Sequence, residues 1–149
     1  LNTKDYIQIQ NLIHSYPKYL DSGQLDKVGE LFSVADVFFE GLENPVSKNP
    51  AVIAEMNRNF LQLYDGKPRT RHAIVNLILE EDGYNRAIAT STVIVFQQTE
   101  KLPLQAIITG DYLDKFEKIE GKWRFVERHI TNDLYGDLSA HGRYSIGGQ

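Results

Sequence analysis

Arg71-His72-Ala73-Ile74-Val75-Asn76-Leu77-Ile78-Leu79 and Arg86-Ala87-Ile88-Ala89-Thr90-Ser91-Thr92-Val93-Ile94-Val95-Phe96-Gln97 are two runs rich in β-branched and apolar residues, parted by Glu81-Asp82-Gly83. Branched side chains pack well on a pleated surface, and a Gly-containing polar cluster turns the chain, so both runs read as strands. Residues 106–116 and 122–130 have the same character. Their separators, the stretch around Lys101-Leu102-Pro103 and Glu120-Gly121-Lys122, are short. Parallel neighbours need a crossover of a dozen residues or more, so short separators predict an antiparallel four-stranded meander.

Upstream of the meander the period changes. Tyr6, Ile9, Ile13, Tyr16 and Leu20 recur at helical spacing, with Thr3 as a cap and Asp5 in the first turn. Pro17 lies inside that pattern and predicts a kink or a break, since it lacks a donor and clashes with the preceding turn. Asp21-Ser22-Gly23 is a stop. A short helix follows from about Leu25 to Phe32, then a brief aromatic strand over Asp36–Glu40 and a loop over 41–48. Asn49-Pro50 starts a third helix, with Ile53, Met56, Phe60 and Leu63 on one face. Helices first and meander last define an α+β class in which the helices cover one face of the sheet. If the sheet curls around them, the space between becomes a closed-ended pocket. From Tyr135 the chain is rich in Gly and polar residues and reads as a C-terminal arm over 135–149, either a lid carrying His141 or Tyr144 over the pocket or plain coil.

With 149 residues the chain fits a single domain. Its formal charge of −4 and its lack of Lys/Arg runs argue against nucleic acid as a partner. Zero Cys excludes a disulfide scaffold, a thiolate metal site and a cysteine nucleophile. No apolar run approaches the ~18 residues that span a bilayer, and no signal-peptide pattern opens the chain. A cytoplasmic location with no membrane association is the expectation. Phosphate loops, dinucleotide fingerprints, nucleophile elbows, paired helical His and Asp-rich calcium loops are all missing. What is left is acid–base chemistry without metal or cofactor, or simple binding.

Only His titrates near neutral pH unaided. His14 reads as a helix-surface residue, His129 ends the last strand and His141 lies in the arm. His72 differs, because strict alternation places it with Ile74, Asn76 and Ile78 on one strand face. Such a face suits a dry pocket with a few fixed polar groups, although a buried histidine with satisfied nitrogens is the commoner outcome of this spacing. Asp21 is its natural partner: a carboxylate on one ring nitrogen fixes the tautomer and leaves the other as a base. Asp before Ser-Gly is also a frequent turn or capping residue.

Tyr19-Leu20-Asp21-Ser22-Gly23-Gln24-Leu25-Asp26 ahead of Leu31-Phe32 opens an ordered set of segments. Thr70-Arg71-His72 with Asn76, Gly110-Asp111-Tyr112-Leu113-Asp114, and Gly121-Lys122-Trp123-Arg124-Phe125 through Glu127-Arg128 complete it. This set resembles the SnoaL-like branch of the nuclear-transport-factor-2-like superfamily. The resemblance implies a cone-shaped α+β barrel, with three N-terminal helices packed in a curved, mostly antiparallel sheet. It is greatest to the scytalone dehydratase and hexachlorocyclohexane dehydrochlorinase group, whose Asp–His dyad abstracts a proton during elimination. Asp21 and His72 occupy both dyad positions. Asn76 matches an Asn four residues beyond the His in some relatives. Tyr16 and Tyr19 match tyrosines that hold a water against a carbonyl, and Arg71 is a further candidate for supporting a carbonyl or leaving group.

Two departures stand out. Pro17 interrupts the first helix and threatens to rotate Tyr16 away from the pocket. The neighbouring strand, 86–97, has no second His, only Thr90, Ser91 and Thr92 mid-strand. The implied function is a cofactor-independent lyase or isomerase acting on a small, mostly apolar, cyclic or polyketide-like molecule. The alternative is a non-catalytic ligand-binding or association module. Homo-oligomerisation, as a dimer or trimer, is expected in either case.

Overall fold

Asn2, rather than Thr3, caps the first helix, α1 (Thr3–Asp21). Its side chain accepts the Asp5 amide while Asp5 accepts the Asn2 amide, so the two close a reciprocal capping box. The helix runs through Pro17 without the expected break. An interior Pro costs about 3 kcal/mol. Burial of Ile9, Ile13, Tyr16 and Leu20 offsets that cost, since each fully buried large apolar side chain contributes roughly 1.5–3 kcal/mol. Tyr16 accordingly stays inside.

The computed structural model describes residues 1–145. α2 (Leu25–Leu31) and α3 (Pro50–Phe60) follow, with Asn49 accepting the Val52 amide as the α3 cap. The strands are β1 (Asp36–Phe39), β2 (Val46–Ser47), β3 (Thr70–Glu81), β4 (Arg86–Gln97), β5 (Gln105–Ile119) and β6 (Lys122–Tyr135). They form one six-stranded sheet in the order β2-β1-β6-β5-β4-β3. The four-stranded meander is as the turns predict. β2 lies in the segment expected to be loop, and β1 runs parallel to β6. Glu120-Gly121, both at positive φ, make the two-residue turn joining β5 to β6, the handedness that matches strand twist.

All three meander strand pairings carry register shifts, and the shifts in β3 and β6 change which side chains face inward. In β3, Val75 pairs Thr92 but Ile78 pairs Thr90, so the segment holds one residue too many. Asn76 absorbs it at φ 52, in the left-handed region that Asn tolerates. Alternation therefore reverses. His72 and Ile74 face the helices before the bulge, and Leu77 and Leu79 do so after it. A shift between Lys115 and Phe116 does the same to β6: Trp123 and Phe125 point inward, then Arg128.

α1 ends where it does because of Gly23. Its φ of 77 permits the closing bonds Gly23 N–H to Leu20 and Gln24 N–H to Tyr19. A Cβ there would lie 2.0 Å from the Gly66 carbonyl oxygen. The helix end thus sits directly against the loop that enters β3. That contact brings Asp21 to the start of the strand carrying His72.

Candidate active site

Asp21, on the last turn of α1, faces Thr70 and His72, the first inward residues of β3. The His72 amide donates to Oδ2 at 2.9 Å, the Thr70 hydroxyl donates to Oδ1 at 2.7 Å, and His72 Nδ1 lies 2.6 Å from Oδ1. Both side chains are largely buried, 11% and 8% exposed for Asp21 and His72. Burial works against the Asp21 charge, but the hydrogen bonds from His72 and Thr70 outweigh it and hold the carboxyl below its usual range. A carboxylate facing Nδ1 selects the tautomer with the proton on Nδ1, which leaves the Nε2 lone pair for other work.

His72 forms part of the wall of a cavity of about 310 Å³ between the helices and the inner face of the sheet. That volume lies at the lower end of the ~300–1,000 Å³ range of small-molecule sites. Leu20, Met56, Val93, Val95 and Ile108 give it an apolar lining. Glu40 and Asn132 add polar groups, with the Asn132 backbone N–H donating to the Glu40 carboxylate at 2.6 Å.

Tyr16 and Tyr112 line the cavity over a buried ion pair. Arg128, fully buried, donates through Nε and Nη2 to the two oxygens of Asp114 at 2.7 and 2.9 Å. Its guanidinium carbon lies 3.9 Å from the Tyr112 ring centroid and 4.6 Å from that of Tyr16, within cation–π reach. Burial opposes the Arg128 charge, yet Asp114 more than compensates and the group stays firmly cationic. Burial also pushes both phenols up, so they remain protonated and able to donate. The Tyr16 ring stands edge-on to His72, 6.4 Å between centroids at 85°.

The arm supplies a second imidazole. His141 and Tyr144 both line the cavity. His141 is 7% exposed and its ring packs edge-on to Phe60. Its Nδ1 is buried with no partner, an omission that costs about 1–3 kcal/mol for an ordinary polar group. Burial, then the neighbouring His72, push its pKa down to about 4, so it is neutral at pH 7. Of the two readings of the arm, the one that carries His141 or Tyr144 over the pocket agrees with this lining. The part of the arm at 146–149 lies outside the described residues.

The other residues proposed for the site fall elsewhere. Asn76 is turned to the outer face by its own bulge, where it joins Thr90, Thr92, Asp111, His129 and Thr131 around a shallow groove. Arg71 is exposed and donates to the Thr70 carbonyl at 2.7 Å, on the face opposite His72. Tyr19 packs beside the core with Lys27 Nζ 5.5 Å over its ring, outside the cavity lining. His129 stacks on Phe38 outside the sheet, 4.2 Å between centroids. Among the described residues, no three His, Asp or Glu are grouped to hold a metal ion, and no helix is long and apolar enough to cross a membrane.

Three helices over one six-stranded sheet give the fold class, and the SnoaL-like domain family matches residues 2–129. The chain belongs to that family. Among solved structures, a protein of unknown function with a cystatin-like fold from Nostoc punctiforme superposes with a TM-score of 0.74 at 20% identity, covering 93% of this chain and 98% of that one. A scytalone dehydratase-like protein from Novosphingobium aromaticivorans gives 0.71 at 18% identity, covering 96% and 89%. LinA gives 0.71 at 18% identity, covering 91% and 90%. No curated protein matches the chain.

Proposed function

We propose that the protein is a cofactor-independent lyase or isomerase that removes a proton from carbon in a small, mostly apolar molecule. One observation carries the reading: Asp21 Oδ1 lies 2.6 Å from Nδ1 of a histidine that forms the wall of an open, apolar cavity. Asp21 orients His72 and stabilises the imidazolium formed when Nε2 takes the proton. Tyr16, edge-on to His72, packs against the substrate. The cavity being open rather than filled by aromatic side chains favours this reading over an association module. Likeness to a scytalone dehydratase-like protein and to LinA agrees with it.

The test is solvent-deuterium exchange into 2-tetralone, whose α-protons are activated by a neighbouring carbonyl, followed by proton NMR. The wild type should accelerate exchange. His72→Phe and Asp21→Asn should slow it on the scale of ~10²–10⁴-fold typical of general base catalysis. Equal exchange with wild type and His72→Phe would sink the proposal.

A further inference from the structure

We infer that His141 is the oxygen-binding residue of this cavity: its imidazole N–H receives a carbonyl oxygen of the ligand, and the substrate class is a carbonyl compound with an adjacent acidic C–H on an otherwise apolar skeleton. The inference deepens the proton-abstraction reading and rests on it.

His141 stands on a segment that is tied down residue by residue. Its carbonyl accepts the Gln62 amide at 2.9 Å, and the Ala140 carbonyl accepts the Tyr64 hydroxyl at 2.7 Å and Gln97 Nε2 at 3.0 Å. Arg143 returns its amide to Phe60 at 2.7 Å and its Nε to Leu61 at 2.9 Å. The arm at this point is a fixed wall, and the ring it carries has a fixed place.

Within that fixed frame the ring has unused bonding capacity. Nδ1 is buried out of reach without a partner, and Nε2 makes no hydrogen bond among the described residues, so the N–H open to a ligand is that of Nε2. A phenyl ring would fill the same space against Phe60 without leaving polar atoms unpaired. Packing therefore does not account for an imidazole here. Tyr16 differs, because its ring lies over Arg128 and edge-on to Tyr112. Among the described residues lining the cavity, His141 is the one with a buried side-chain atom left unpaired.

Burial beside His72 keeps His141 uncharged at neutral pH, so it meets a ligand as a hydrogen-bond donor rather than as a counter-ion. A neutral imidazole in that role polarises a carbonyl. His72 Nε2 takes the α-proton, the C–H electron pair becomes the C=C bond, and the carbonyl π pair moves to oxygen. The N–H of His141 holds the resulting enolate oxygen. Return of the proton from His72 to the same carbon restores the ketone. Return to the γ-carbon of an unsaturated ketone gives an isomer, and loss of a β-substituent with its electron pair completes an elimination.

The test compares binding of 2-naphthol, whose oxygen mimics the enolate, with naphthalene, by fluorescence titration. The wild type should prefer 2-naphthol. His141→Phe should weaken 2-naphthol about tenfold, the scale of one hydrogen bond, and leave naphthalene within about twofold. His141→Gln, which retains a donor, should keep the preference. An unchanged preference in His141→Phe, loss of the preference in Tyr16→Phe instead, or no preference in the wild type would each overturn the inference. The base reading is judged separately, by 2-tetralone exchange in His72→Phe.

Discussion

The carboxylate of Asp21 holds His72 twice: Oδ1 lies 2.6 Å from the ring Nδ1, and Oδ2 accepts the same residue's backbone amide at 2.9 Å. One side chain at the end of α1 thereby fixes both the orientation of the imidazole and the strand that carries it. Because its hydrogen bonds hold the native Asp21 carboxyl below the usual range, its contribution to stability is present above the unfolded value near ~3.9 and is lost as pH falls through the native value. Urea unfolding of the wild type and Asp21→Asn should differ most near neutrality and converge in acid. A constant difference across that window would show that the charge contributes nothing.

His141 has a separate pH signature. Its native pKa is about 4, against ~6.5 for a free imidazole, so between those values the unfolded chain binds more protons. Stability should be full above pH ~6.5, fall by roughly 3 kcal/mol as the pH drops to about 4, and then level with respect to this group. His141→Phe should lack that decline. A wild-type curve flat between pH 6.5 and 5 would contradict the burial of a neutral imidazole.

Arg128 and Asp114 are fully buried and hydrogen-bonded to each other. Removing one partner leaves the other charge uncompensated, so Arg128→Met should cost about 3–5 kcal/mol by denaturant unfolding. The double change Arg128→Met with Asp114→Leu should cost less than the sum of the two single changes. Simple additivity would mean that the pair is not coupled.

Asn76 sits at φ 52 on the outer face. Asn76→Gly should be neutral or slightly stabilising, whereas Asn76→Val should cost about 1–2 kcal/mol, because a branched side chain resists the left-handed region. Neither change should alter 2-tetralone exchange beyond its effect on the folded fraction. A direct loss of exchange in Asn76→Gly would return this residue to the site.

The elements were legible because each rests on local chemistry. Asn49-Pro50 marks the start of α3, Glu120-Gly121 a tight hairpin, and the β-branched runs fall within the four meander strands. Asp21 and His72 were legible by resemblance, and the approach of α1 to β3 puts them together. Asn76 was misplaced, and Arg128 passed over, for one physical reason. A single extra residue in a strand reverses every later side chain, and spacing alone does not reveal where the extra residue sits. The pairing of β1 with β6 joins segments some ninety residues apart, a distance over which no local signal acts. His141 reaches the cavity from an aperiodic segment, held there by Gln62, Tyr64 and Gln97.

The central claim is that Asp21 sets His72 as a base with Nε2 free toward the cavity. Long-range nitrogen–proton correlation NMR of the imidazoles at pH ~8 tests it most directly, comparing wild type with Asp21→Asn. The account predicts that wild-type His72 is the tautomer protonated on Nδ1, with an unprotonated Nε2, and that Asp21→Asn scrambles this state. A His72 protonated on Nε2, or one indifferent to the loss of the Asp21 charge, would contradict it.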